Sequence, residues 1–444
     1  MTDTREYVSA IVPAMGNPCH LMIRLAEAVG SDDYVIYEKP PVWSFAAGSV
    51  AELIVTPTRS LLRDDRGDFA VSRNRRTLAE IPGLLDRIRL SDWRAYGIAM
   101  FDMSYDNGDS FHDDSDTALV RLIIPRVEVR VADGRATLRG IARAEVQALA
   151  EVVGAATPVP HYRSTPVDVE HESSTGFRDL VADVLRVIRD RGIQKVVLSR
   201  AVPIDADVDL PATFLLGRGH NTPARSFMVR LDGLCAAGFS PEIIADVSAA
   251  GQVLAQPLAG TRALAPDQGD HDDPPGAGLL EDPKEVFEHA IAVRNSCQDM
   301  AAVCRPESVA VTDFMMIQRR GTVQHIGSMV RGSLAPGRGP WDAFIALFPT
   351  LIGRPRPDAY ALIRKYETTP RGLYGGAVLA CDAAGTLDAT LVIRALFQQD
   401  GQTWLRAGVG LVPQSTPDRE FEETCEKLRS VASHVVMRTT VGTS

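Results

Sequence analysis

Phe177-Arg-Asp-Leu-Val-Ala-Asp-Val-Leu-Arg-Val-Ile-Arg-Asp-Arg-Gly192, followed at once by Ile193-Gln-Lys-Val-Val-Leu-Ser-Arg-Ala-Val202, contains both periodicities from which the fold is read. In the first segment Phe177, Leu180, Val181, Val184, Leu185 and Ile188 recur at helical spacing, which predicts an amphipathic helix ended by Gly192. The second segment, rich in β-branched residues, predicts a strand. Further strands are expected at 226–230, 243–247, 309–314, 323–326, 376–380, 389–397 and 403–409, and long helices near 283–303 and 417–437. Many strands follow one another through hairpins, without strict βαβ alternation, so the class is antiparallel-rich α+β.

Upstream, residues 1–165 alternate short β-rich runs (34–37, 52–55, 119–124, 127–131) with turns and carry little chemistry. The polar stretch 161–175 is the expected seam before a second half, residues 170–440. An acidic run, 102–116, has the look of a calcium loop but lacks the EF-hand glycine and closing glutamate; it reads as a solvated loop. Of 444 residues, 45 % are hydrophobic and 23 % charged, enough for a large core. The net charge of −10 argues against a nucleic-acid partner. No stretch approaches the roughly 18 apolar residues of a membrane helix, and the first residues lack a basic region followed by an apolar one, so a cytoplasmic protein without a membrane partner is expected. Six scattered cysteines without C-x-x-C spacing read as small buried hydrophobes in a reducing compartment, and no H-x-x-x-H pair supports soft-metal chemistry.

Each long helix opens with a cap, a proline and paired carboxylates. In Glu281-Asp-Pro-Lys-Glu-Val-Phe-Glu288, Asp282 caps and Glu285 stands where a capping-box partner belongs; in Ser415-Thr-Pro-Asp-Arg-Glu-Phe-Glu-Glu423 a hydroxyl precedes the proline. Glu285 with Glu288, and Glu420 with Glu423, project from one helix face each. Taken singly, such a pair is a solvated face. Converging, the four suit a hard, oxygen-preferring ion such as Mg²⁺. Glycine-containing turns are expected at 257–261, 371–376 and 406–410, where backbone N–H groups approach an anion, with Arg394 and Lys427 nearby to supply charge.

In order along the chain, KVVLSR (195–200), SPE (240–242), PLAGTRA (257–263), KEVFEHA (284–290), QHIGS (324–328), PRGLYGGAV (370–378), RAGVGLV (406–412) and REFEETCEKL (419–428) closely resemble the chorismate-utilising enzymes, the group of anthranilate synthase component I, and within it look most like the salicylate synthases. The resemblance implies one large α+β domain of two stacked sheets flanked by helices, with residues 1–165 as the β-rich half of the same fold. It implies chorismate as substrate, Mg²⁺ held by Glu285, Glu288, Glu420 and Glu423, a ring carboxylate at Gly260 and Thr261, and an enolpyruvyl carboxylate held by Tyr374, Arg394, Gly408 and Lys427.

Lys195 matches the general base of water-using members, against the plainer reading of a surface lysine on a strand. Glu242 matches the acid for the departing ring-carbon-4 hydroxyl, against that of a loop cap, and His325 matches a histidine near the ring, against a satisfied core histidine. Ala259 cannot attack the ring as a lysine does in some aminodeoxychorismate synthases. The implied reaction is chorismate to isochorismate to salicylate and pyruvate, without a glutaminase partner and in a monomer. The alternatives are an isochorismate synthase, an aminating synthase, and a non-catalytic chorismate-binding protein. Two departures stand out: the loop 348–356 is shorter by two residues, with Leu351 and Ile352 where a threonine is expected, and Gln256 replaces a glutamate.

Overall fold

The computed structural model describes residues 5–438 apart from 31, 73–77, 106–116, 172–175, 264–277 and 322. Two large sheets form its centre. An eleven-stranded sheet runs from Val8–Pro13 at one edge, through Tyr34–Lys39 and Arg225–Leu231, to Lys195–Pro203 and the short Gly353–Arg354 at the other. A twelve-stranded sheet runs from Leu258–Ala263 to Gly67–Ser72, with Ala310–Arg320 paired on Val323–Ser333 beside the main path. Each sheet takes strands from both halves of the sequence: Tyr34–Lys39 pairs antiparallel with Arg225–Leu231 in the first, and Arg94–Ala99 with Ala377–Asp382 in the second.

Three apolar layers follow. Val35 and Tyr37 point into a core between the sheets, where they meet Tyr96, Ile98 and Val378, while Tyr34 and Ile36 of the same strand point into the core under the outer helices. A strand buried on both faces reads as an unbroken apolar run, which is what 34–37 shows. The helix Phe177–Arg191 buries Phe177, Val181, Val184, Leu185 and Ile188 on the outer side of the first sheet and ends at left-handed Gly192. Behind the second sheet lie Pro283–Ala301 and Pro340–Leu347.

Three expectations change. The single strand expected at 389–397 is two strands, Leu387–Leu391 in the twelve-stranded sheet and Ala395–Gln399 in the eleven-stranded one. The chain passes between sheets at 392–394, with Arg394 at φ +50°. The second long helix is Pro417–Ala432 and stops short of 437. Its continuation is drawn off by other partners: Thr165 N donates to Val435 O, Asp209 N to Val436 O, and Val436 N to Thr213 Oγ1. All six cysteines are free, but only Cys19, Cys304, Cys381 and Cys425 are buried; Cys235 and Cys297 are half-buried. Residues 106–116 of the acidic run and 172–175 of the polar stretch lie outside the described residues. Among the described residues no helix is long and apolar enough to cross a membrane.

One buried ionic cluster ties the loop 348–356 to both the end of the helix that follows it, Arg356–Tyr366, and the first sheet. Glu367 accepts from Arg371 at 2.6 and 2.9 Å, from Arg406 at 2.9 Å and from Ser199 N at 2.8 Å, and Arg371 also donates to Leu351 O at 2.6 Å. Burial alone disfavours the charged carboxylate, yet the two guanidiniums hold Glu367 below its ordinary range. Removing the carboxylate leaves two uncompensated buried cations. Glu367→Ala is expected to cost about 3–5 kcal/mol in urea denaturation, far more than breaking an exposed pair such as Arg63–Asp68.

Candidate active site

The strand Lys195–Pro203 pairs with Gln402–Leu411 so that Val197 faces Gly410 and Ser199 faces Gly408. Alternation sends Val196 and Leu198 into the outer core and leaves Lys195, Val197 and the two glycines on the inner face. At Gly410 the absence of a side chain is required: a Cβ there would sit 2.5 Å from Lys195 Cε and closer still to Glu288 Oε1. Lys195 Nζ lies 2.9 Å from Glu288 Oε1 across that gap.

Glu242 and Arg394 occupy neighbouring points at which the chain changes sheet. Leu234–Ser240 belongs to the first sheet and Ile243–Val247 to the second, with Pro241 and Glu242 between them. The two passages are stitched together: Phe239 N donates to Arg394 O, and Leu391 N and Thr390 Oγ1 donate to Glu242 O. Burial pushes the Glu242 carboxyl up to about 8, against the opposing pull of a hydrogen bond with Thr350 and the charges of Lys195 and Lys427. Thr350 thus supplies a hydroxyl one residue before Leu351 and Ile352. Leu351 lines the cavity, and Ile352 is buried with its carbonyl accepting from Val197 N.

Arg394 is buried and donates to Arg320 O and to His325 Nε2, and no carboxylate pairs with it among the described residues. Burial, with Arg320 adding to it, lowers the guanidinium to about 9. An arginine held at that cost is built for an anion that arrives from outside. With its Nε2 taken by Arg394, the His325 ring carries its proton on Nδ1, 3.0 Å from Thr261 Oγ1. Burial first, and then Arg394, hold this imidazole well below its ordinary value, so it is neutral and sets the positions of Thr261 and Arg394.

Of the residues assigned a catalytic, substrate-binding or metal-binding role from the sequence, all except Glu285 and Glu420 line one cavity. A second shares Lys195, Glu242 and Leu351 with it and continues past Asn295 and Asp299 to Arg354. Glu285 and Glu420 stand just behind the first cavity, within the same cluster as Glu288 and Glu423. Glu285 does not close a capping box; its Oε2 accepts from Thr261 N at 3.1 Å, while Asp282 caps by accepting from Lys284 N. Thr416 makes no side-chain cap at the second helix. Two of the three expected glycine turns are strand interiors, Leu258–Ala263 and Gln402–Leu411. In the first of these Gly260, at φ +77°, forms a bulge opposite Ile326 and His325. Gly408 offers Lys427 Nζ its carbonyl at 3.0 Å, and the Tyr374 hydroxyl lies where a Gly408 Cβ would be 2.7 Å away.

Residues 32–433 match the family described as chorismate binding enzyme. The chain belongs to that family. It is 38 % identical over 431 residues to a salicylate synthase from Mycolicibacterium paratuberculosis, covering 94 % of this chain and 93 % of that one. It is 36 % identical to an anthranilate synthase component 1 from Aeropyrum pernix over 62 % of this chain and 64 % of that one. The menaquinone-specific isochorismate synthase from Escherichia coli has the same fold, with a TM-score of 0.72 at 21 % identity over 97 % of this chain and 95 % of that one.

A chorismate-binding enzyme must accept a dianion, and the uncompensated Arg394 and the Lys427 ammonium face the cavity that would receive it. Sequence reading missed three contributors. Lys284, within KEVFEHA, stands i,i+4 from Glu288, but that spacing alone gives it no role in the site. Thr350 and the crowding at Gly410 depend on tertiary contacts that no spacing reveals. Gln256, the other departure, is buried and donates to Gln318 Oε1 at 3.0 Å. Gly410→Ala is expected to force Lys195 and Glu288 apart and to cost about 1–3 kcal/mol by urea denaturation, as overpacking does; an unchanged midpoint would show that the two strands can part to admit a methyl.

Proposed function

We propose that the protein is a magnesium-dependent salicylate synthase that converts chorismate through isochorismate to salicylate and pyruvate. The observation that carries this reading is a protonated acid and a lysine on one cavity: Glu242, pushed up to about 8, and Lys195 both line the chamber that holds Arg394. The likeness to a salicylate synthase over nearly the whole chain supports the choice within the family.

The donor set suits Mg²⁺. Glu285, Glu288, Glu420 and Glu423 are at most 5 % exposed, all their donors are oxygens, and Glu288 Oε2 and both Glu420 oxygens have no hydrogen-bond partner. Bound there, the ion would neutralise the ring carboxylate and polarise the diene. The remaining work falls to side chains. Thr261 and Gly260 present backbone beside the carboxylate cluster, and Arg394 and Lys427, with Tyr374 beside them, hold the enolpyruvyl carboxylate. Lys195, in its free-amine form, takes a proton from water as the water oxygen bonds to ring carbon 2. Glu242 gives its proton to the hydroxyl on carbon 4, which leaves as water while the diene shifts. In the second step the ether bond to carbon 3 breaks and the carbon-2 hydrogen passes to the enolpyruvyl methylene, releasing pyruvate and an aromatic ring. This asks for confinement and no further catalytic group. Water as nucleophile requires no glutaminase partner.

Purified protein incubated with chorismate and Mg²⁺ is expected to release pyruvate and salicylate in equal amounts. Isochorismate without pyruvate would replace this reading with that of an isochorismate synthase, to which the hydrocarbon of Leu351 beside the ring pocket would then be traced. Glu242 donates only while protonated, so its contribution to the rate is expected to be lost as pH rises through about 8. Glu242→Gln is expected to lower kcat by about 10²–10⁴-fold, the usual contribution of a positioned acid. A rate unchanged in that variant would remove Glu242 from the mechanism.

A further inference from the structure

Lys284 Nζ sits at the centre of the carboxylate cluster, 3.2 Å from Glu285 Oε1, 3.3 Å from Glu288 Oε2, 3.3 Å from Glu420 Oε1 and 3.4 Å from Glu423 Oε2. These lengths belong to ammonium–carboxylate pairs and are more than 1 Å beyond the roughly 2.0–2.1 Å of Mg–O bonds. The nest is therefore closed around a lysine. It is an incomplete match: an ammonium has three N–H donors for four carboxylates, and only Glu285 and Glu423 receive a hydrogen bond from it. Both oxygens of Glu420, which is fully buried, stay without one, as does Glu288 Oε2.

We infer that Lys284 is the exchangeable internal cation of this site: its ammonium holds the four carboxylates together in the metal-free protein and must leave before a divalent ion can bind them. The inference rests on the magnesium reading above and adds to it a residue with a task of its own. Like charge and overlap forbid the two cations from sharing one centre. An exit is available, because Lys284 lies in the first turn of Pro283–Ala301 between exposed Pro283 and Phe287, so rotation about its own side-chain bonds carries Nζ to solvent while the helix stays in place. Metal affinity is then lower than an empty nest would give, and the ligand-free fold is spared the repulsion of four buried carboxylates.

Three measurements test this on the full-length protein, freed of metal with a chelator. In calorimetric titration with MgCl₂, Lys284→Met is expected to bind at least about tenfold more tightly than the natural protein, since no competitor has to be displaced. Its metal-free melting temperature is expected to fall by at least about 3 °C and to recover with Mg²⁺, while Lys284→Arg keeps the metal-free stability and binds Mg²⁺ no more tightly than the natural protein. Acetylation of the natural protein, read by mass spectrometry against exposed Lys365, is expected to rise several-fold at Lys284 on adding Mg²⁺, and it decides the matter if Lys284→Met fails to fold. Equal Mg²⁺ affinity in the natural protein and Lys284→Met, or Mg²⁺ binding with no change in Lys284 labelling, overturns the exchange and leaves the metal reading standing. No binding heat in either protein overturns both.

Discussion

Four carboxylates buried around one point repel one another strongly, and the rest of the site is organised by how that repulsion is met. Three lysines reach the cluster. Lys284 touches all four, Lys195 adds a second contact to Glu288, and Lys427 adds one to Glu423 at 2.8 Å. The division shows in the acidities. Burial works against the charge of every member, but Glu288 and Glu423, each with a lysine of its own, are held below the ordinary carboxylate range. Glu285 and Glu420, which share only Lys284, are pushed up by burial and by Glu423.

That arrangement needs two helices from distant parts of the chain to meet, and the sheets decide where they do. Pro283–Ala301 packs on Leu258–Ala263 and Val323–Ser333 of the second sheet, while Pro417–Ala432 packs on Gln402–Leu411 of the first and reaches the same two strands of the second. The cluster lies where the sheets come together. Here also the chain crosses twice between them, and both crossing points end in a side chain that faces the cavity, Glu242 in one and Arg394 in the other. Strand corners in stacked sheets are anchored on both sides, so an acid and an arginine placed there are held more firmly than on a free loop.

Periodicity and capping made much of this legible. The helix Phe177–Arg191, its αL glycine, the strand beginning at Lys195 and both E-x-x-E faces stand close to where spacing puts them. Other features carried no local signal. Residues 389–397 read as one strand because both segments are buried on both faces, and nothing in an apolar run says that it changes sheets at Arg394. Lys284, in the first turn of a helix, has the sequence signature of a solvated residue, and its position among four glutamates depends on partners more than 130 residues away. The motif order pointed to the convergence that spacing could not, while the crowding at Gly410 and the Thr350 hydroxyl arise only from tertiary contacts.

The wall formed by Leu351, Leu258 and Ile393 beside Glu242 bears on both steps of the proposed reaction. In the first, hydrocarbon raises the pKa of Glu242 by denying its charged form water, with the Thr350 hydroxyl and the charges of Lys195 and Lys427 in opposition. The same dry surface suits the second step, in which a hydrogen moves within the bound molecule and a stray water has nothing useful to do. A polar residue in place of Leu351 brings water to Glu242 and loosens the confinement together. A loop with hydrocarbon at Leu351 and a hydroxyl at Thr350 is therefore compatible with both steps of the proposed reaction.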